Sequence, residues 1–312
     1  MRSDNIIISN NIRYFSGILL LILPLFAFGQ IDFSQLDTIP PLELVPEAKI
    51  SFAAINEASG LVKSRLWRDV YWTHNDSGDE ARIFPLNAQG QIITPEWAKD
   101  TYAGIKIAGA ANVDWEDICA DQLGNLYIAD CGNNDNLRRD LTIYVIKEPY
   151  PESTDVTSVF KKYNFYYPEQ RSFPPEKRNF DCEAIFYKDG IIYLLTKHRS
   201  DTNTSLYRLD SPQLFFDNPA VFIDEFHIKG RVTAADCSPD GKKLAVLTYS
   251  AVWIFQSLDD ADNFFKGKIF YLPYKADWCE GICFDDDKLM LISEPGLIYR
   301  IPVSALYPIV NH

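Results

Sequence analysis

The sequence predicts an all-β protein made of repeated hairpins, and two observations lead there. Aromatic residues are 14% of the chain, with 17 Tyr and 20 Phe, a composition that suits pleated, half-buried surfaces. Five segments can also be laid over one another: SGLVKSRLWRDVYWTHND, EDICADQLGNLYIADCGN, EAIFYKDGIIYLLTKH, ADCSPDGKKLAVLTYS and EGICFDDDKLMLISEPG. Each reads as a short apolar strand, a turn and a longer apolar strand. Gly124-Asn125, Asp189-Gly190, Asp240-Gly241 and the run Asp285 to Asp287 supply the turn chemistry. The segments begin at Ser59, Glu116, Glu183, Ala235 and Glu280, at spacings of 57, 67, 52 and 45 residues.

Taken in chain order, residues 1–29 read as a signal peptide. Arg2 and Arg13 give a positive start, Phe15 to Phe28 is nearly all apolar, and Ala27-Phe28-Gly29 resembles a cleavage site before Gln30. The apolar run is short against the roughly 20 residues of a membrane span, so a signal anchor is the lesser alternative. The expected product is residues 30–312, exported to the periplasm or secreted, with no stable membrane insertion after cleavage. One unpaired strand, AKISFAAI at 48 to 55, precedes the first repeat. The first hairpin continues with ARIFPLN and IKIAGA, the second with LTIYVIKEP and VFKKYNFYYP. The third continues with SLYRLD and AVFIDEFHI, the fourth with AVWIFQS and KIFYLPY. Four strands per unit is the pattern of a propeller blade. The fifth unit has three strands, so the N-terminal strand is expected to complete it, giving a single β-propeller of five four-stranded blades. Six blades with one degenerate unit, or a β-sandwich, are the alternatives. Helix is expected only as single turns at 212 to 217 and 259 to 265.

The formal charge is −13, and about −14 without residues 1–29. Such a surface repels nucleic acid, whose binding rests on neutralising phosphates, and attracts cations. Cys119, Cys131, Cys182, Cys237, Cys279 and Cys283 form an even count, compatible with disulfides in an exported chain or with buried thiols on strands. No CxxC pair occurs and there are four histidines, which argues against zinc. Walker, GxGxxG, GxSxG and EF-hand motifs are missing.

In a propeller built of like blades, the starts of the first strands and the ends of the second strands meet at one face. Here both series are rich in oxygen ligands. NEASG, NVDWEDI, NFDCEAI, VTAADC and DWCEGI start the first strands; HNDSGDE, ADCGNND, TKHRSD, TYS and SEPG end the second. Glu116 to Asp130, Glu183 to Lys197 and Glu280 to Glu294 are each 14 residues apart. Ser59, Glu116, Glu183 and Glu280 therefore form a predicted ring, with Ala235 in blade four and Thr233 beside it. Three carboxylates within about 5 Å repel by roughly 3 kcal/mol per pair at an effective dielectric near 20. Either their pKa values rise or a cation sits among them. Calcium, which takes six to eight oxygens in flexible geometry, fits a mixed Ser/Glu ring, and magnesium ranks second. Solvated acids at a water-filled mouth are the plainer alternative. His74, Asp76 and Asp117 are the candidate catalytic bases, and Arg178, Lys197 and Arg199 the candidate contacts for a phosphate or carboxylate.

EASGL, THNDSGD, NVDWEDI, the segment Ala129 to Asn134, DCEAI and TK at 196 to 197 resemble a group of secreted bacterial propellers, mostly uncharacterised and called phytase-like or WD40-like. More distantly, the pattern is similar to the soluble calcium-activated nucleotidases, or apyrases. Those are five-bladed propellers with a tunnel calcium held by serines and glutamates. That likeness implies the same role for Ser59, Glu116, Glu183 and Glu280, and it fails in blade four, where Ala235 stands in place of a serine. The expectation is an exported, monomeric, calcium-binding propeller that hydrolyses phosphate esters or nucleotides, or one that binds a small anionic ligand or a protein around a structural calcium.

Overall fold

A computed structural model of the chain describes residues 33–258 and 262–309. The predicted signal peptide lies outside the described residues. Strand pairing resolves five meanders. The first runs Ala58–Lys63, Val70–Asn75, Arg82–Asn87 and Ile105–Ala108. The second runs Trp115–Ala120, Asn125–Asp130, Thr142–Lys147 and Val156–Tyr166. The third is Cys182–Lys188, Ile191–Thr196, Asn203–Leu209 and Val221–His227. The fourth is Val232–Cys237, Lys243–Thr248, Ala251–Gln256 and Lys268–Lys275. The fifth has three strands in sequence, Cys279–Asp285, Lys288–Ser293 and Leu297–Pro302.

The ring closes as a propeller. Each innermost strand packs against the next, and Cys279–Asp285 returns to Ala58–Lys63. One apolar core fills each interface between blades. Trp72 and Trp115 share the core of blades one and two, and Phe186 and Trp253 that of blades three and four. Met290, Ile292, Leu61 and Tyr71 fill the closing interface. Inner strands are buried on both faces, which is why they read as near-continuous apolar runs, whereas the outer strand Val156–Tyr166 is half exposed and alternates. Asp189 and Gly190, both at positive φ, make the tight turn of blade three that the dipeptide predicts.

The fifth blade is completed by the N-terminal segment, though more briefly than the sequence suggests. Only Ala48–Lys49 pairs with Ile298 and Leu297. Beyond it, Ile50 N–H bonds to Gly296 O and Ile55 N–H to Phe52 O, so the chain leaves the sheet and turns toward the channel. Blade four is widened by Leu42–Glu43 and Tyr307–Ile309, which pair with its last strand. The predicted turn at 212 to 217 is not helical. A single 3₁₀ turn forms at Phe264–Lys266, and part of the predicted 259–265 turn falls outside the described residues. All six cysteines are buried free thiols. Among the described residues no helix is long and apolar enough to cross a membrane.

Candidate functional site

Every inner strand carries one extra residue at the same place. The pairing slips between Ser59 and Leu61, Trp115 and Asp117, Cys182 and Ala184, Val232 and Ala234, and Cys279 and Gly281. The bulged residues are Gly60, Glu116, Glu183, Thr233 and Glu280. A bulge leaves one residue out of the ladder and re-aims its side chain. The three glutamates are thus structurally equivalent. Ser59 and Ala235 are not their counterparts, which are Gly60 and Thr233. Ser59 Oγ instead donates to Glu116 O at 2.7 Å, and Thr233 Oγ1 to Cys279 O at 2.9 Å, each tying one blade to the next.

The 14-residue interval also joins unlike positions. Asp130 pairs with Trp115 inside the ladder, whereas Lys197 and Glu294 lie one residue past the partners of Cys182 and Cys279. Blade two has the longer turn, from Ala120 to Leu126, and counting along the chain absorbs that difference unseen. The true equivalents come from the backbone. The N–H groups of Cys131, Lys197, Tyr249 and Glu294 bond to the carbonyls of Asp114, Asp181, Arg231 and Trp278. Those four residues each stand two before a bulge, and they form the outer layer of the channel mouth.

Asp76, Asp114 and Glu116 converge there, each offering a carboxylate oxygen within 4.8 Å of the other two. Asp76 directly follows the second strand of blade one, Asp114 directly precedes the first strand of blade two, and Glu116 is on that strand. Gly132 makes the approach feasible, because a Cβ there would overlap Glu116 Oε1 and Asp114 Oδ2. Among the described residues no cation pairs with any of the three. Glu116 is 7% exposed, and no hydrogen-bond donor among the described residues reaches its carboxylate. Burial, then Glu183 and Asp76, push its pKa well above the usual carboxylate range. Burial and Asp76 push Asp114 up to about 6, and burial raises Asp76 as well. Lys197 offsets part of the charge on Glu116 and Asp76, and Arg138 part of that on Asp114, but neither pairs directly with the three acids, and such crowding favours a proton or a divalent cation.

The other predicted residues fall elsewhere. Glu183 is closed off by Lys197 Nζ at 2.5 Å and Arg199 at 3.2 Å, and Arg199 also grips Asp181. Burial opposes the Lys197 charge, yet Glu183 and Glu116 hold its pKa above the usual lysine range. Glu280 accepts from Tyr249 OH at 3.1 Å, and its pKa is pushed up to about 7 by burial and by Glu294. Arg178, at the rim, pairs with Asp135. Asp117 has no exposed surface. Its oxygens accept the N–H groups of Ile118, Ile185 and Ala235, so one carboxylate stitches the inner strands of blades two, three and four. His74 is fully buried, edge-on to Trp115, with Nδ1 on Asn75 O, and burial lowers its pKa to about 4. Gly60 sits under its Nε2, where a Cβ would not fit.

Sequence reasoning places Asp114, Tyr249 and Trp278 on strand starts and ends without giving them roles, and it leaves out Arg231, one residue before the start VTAADC. The signal that finds them is the bulge, which is invisible until the strands are paired. No family model matches the chain, and no curated protein does. The chain is similar in structure to the major Malassezia sympodialis allergen Mala s 1, over 86% of this chain and 97% of that one, at 12% identity and a TM-score of 0.50. Two further similarities are to the Neurospora crassa Pan2 WD40 domain (6% identity, 80% and 64% covered, TM-score 0.34) and to the computationally designed Ika8 protein (9% identity, 78% and 70% covered, TM-score 0.32). At 12% identity the first likeness speaks to the fold alone.

Proposed function

We propose that the protein binds a divalent cation, calcium first and magnesium second, through Asp76, Asp114 and Glu116, and uses it to hold a small anionic ligand at the mouth of the channel. The observation that carries this reading is the unpaired, nine-tenths-buried Glu116 carboxylate facing two more carboxylates. Calcium tolerates an incomplete protein shell because water and carbonyl oxygens fill the remaining positions. Ser59, Glu183 and Glu280 are not in this ligand set, since each is committed to another partner. A second reading, hydrolysis of a phosphate ester, is favoured by Asp76. It is the one predicted base left at the mouth, where a metal-bound water would face the ligand.

Calorimetric titration with calcium and with magnesium tests the first reading. One calcium per chain, lost in Asp114→Asn, supports it; no heat with either ion overturns it. Release of phosphate from aryl phosphates and nucleotides, abolished by chelator, separates the hydrolase from the binding module.

A further inference from the structure

The outer layer of the mouth changes chemistry around the ring. Asp114 and Asp181 supply it in blades two and three, Arg231 and Trp278 in blades four and five. Asp114 is part of the carboxylate cluster, and Asp181 is held by Arg199. The other two are uncommitted. Arg231 is exposed and enters no ion pair among the described residues. By contrast Lys197, Arg199 and Arg178 are each paired with an acid. Trp278 is 65% exposed, although Trp115, one position further along in blade two, is completely buried. An indole left in water at a channel mouth leaves a flat apolar face available.

That face has a built surround. The Tyr249 ring lies 5.9 Å from that of Trp278 at an angle of 49°, and Lys197 Nζ lies 5.5 Å over the other ring of the pair, Tyr249. Tyr249 OH is fixed on Glu280 Oε1, and Glu294 lies near enough to Glu280 to raise its pKa. Tyr249 N–H bonds to Arg231 O, so the backbones that carry the arginine and the tyrosine are neighbours at the mouth. Aromatic faces take up the C–H face of a sugar ring, carboxylates accept from its hydroxyls, and a free guanidinium binds an anion through paired N–H donors. A few polar groups around an apolar wall is the usual make-up of a small-molecule site.

We infer that blades four and five form a subsite for an anionic sugar, its ring against Trp278 and Tyr249 and its charged group on Arg231. This rests on the cation-dependent reading above and names the ligand class for the same mouth. The two fail separately, because the subsite residues are not cation ligands.

The test is calorimetry and tryptophan fluorescence on the calcium-loaded protein, with hexose phosphates and hexuronates as anionic sugars. Inorganic phosphate and neutral hexoses are the controls. At least one anionic sugar is expected to bind ten-fold or more tightly than either control. Trp278→Ala and Arg231→Gln should each weaken it about ten-fold and leave calcium affinity unchanged. Equal binding of anionic sugars and inorganic phosphate, no binding by any anionic sugar, or indifference to both substitutions overturns the subsite. Loss of calcium binding in either variant would also overturn it, by making the effect one of the cation site.

Discussion

Glu116 and Glu183 sit on the same bulge in neighbouring blades and meet opposite fates. Glu183 is sealed by Lys197 and Arg199; Glu116 faces Asp76 and Asp114, with no cation paired to it among the described residues. The backbone device is identical, so the difference lies in the residue just past the second strand. In blade three that residue is Lys197, and in blade two it is Cys131, whose thiol turns instead to Cys182 O. A tethered ammonium neutralises one half of the mouth permanently. The other half has no tethered ammonium of its own, and its three acids crowd together with raised pKa values.

The sharpest way to break this comparison is to remove each carboxylate charge in turn. Glu116→Gln is expected to lower calcium affinity at least 100-fold, about 2.7 kcal/mol, with little loss of stability. Glu183→Gln should do the reverse. It should change calcium affinity by less than about three-fold, but cost roughly 3 kcal/mol in urea unfolding, because it strands the buried Lys197 charge. Equal effects of the two substitutions on calcium would mean that both halves share one ion, and the asymmetry would be lost.

Lys197→Met tests the same point from the other side. It leaves Glu183 with Arg199 alone and should destabilise the calcium-free protein by about 3 kcal/mol. If the ammonium stands in for a second ion, millimolar calcium should recover part of that loss and the stoichiometry should rise above one. Unchanged stoichiometry and no recovery would show that the blade-three half cannot take an ion even when emptied.

These same residues mark how far the fold and the site are legible in the sequence. The repeat, the turns and the convergence of acids at one face are readable, because inner strands must be apolar throughout and turn residues are chemically distinct. The three glutamates are placed correctly relative to one another. The equivalence of Gly60 and Thr233 to them escapes a reading of the sequence, because a bulge shifts register by one without leaving a mark in composition. The fate of each acid is equally hidden. Asp117 and Glu116 are adjacent, yet one is consumed by three backbone N–H groups and the other is left without a donor among the described residues. That choice is made by the strands of blades three and four, far away in the chain.

A smaller effect comes from pH. Burial and Asp76 push Asp114 up to about 6, above its unfolded value near 3.9. A carboxyl with a raised folded pKa binds its proton more tightly in the native state. Its stabilisation is therefore present below the unfolded value and fades as pH rises through about 6. The calcium-free protein should accordingly melt higher near pH 5 than near pH 7.5. Calcium should reverse that order by replacing the protons, and its apparent affinity should drop about ten-fold from pH 7.5 to 5.5. A melting temperature independent of pH in chelator would place Asp114 outside the cluster.

The smallest expected effect separates proximity from participation. His74 lies one residue from Asn75 and two from Asp76, and its sequence context, THNDSGD, invites a catalytic role. Yet the ring is fully buried, neutral at physiological pH, and leaves Nε2 without a hydrogen-bond partner among the described residues. Replacing an unpaired buried nitrogen by carbon of the same shape removes little. His74→Phe should forfeit the Nδ1 bond to Asn75 O, about 1 kcal/mol, and leave calcium affinity and any phosphate release unchanged. A loss of activity greater than ten-fold in a variant that still binds calcium would return His74 to the chemistry. It would also require the strand end to open in solution, since no ligand reaches the ring while Trp115 and Gly60 enclose it.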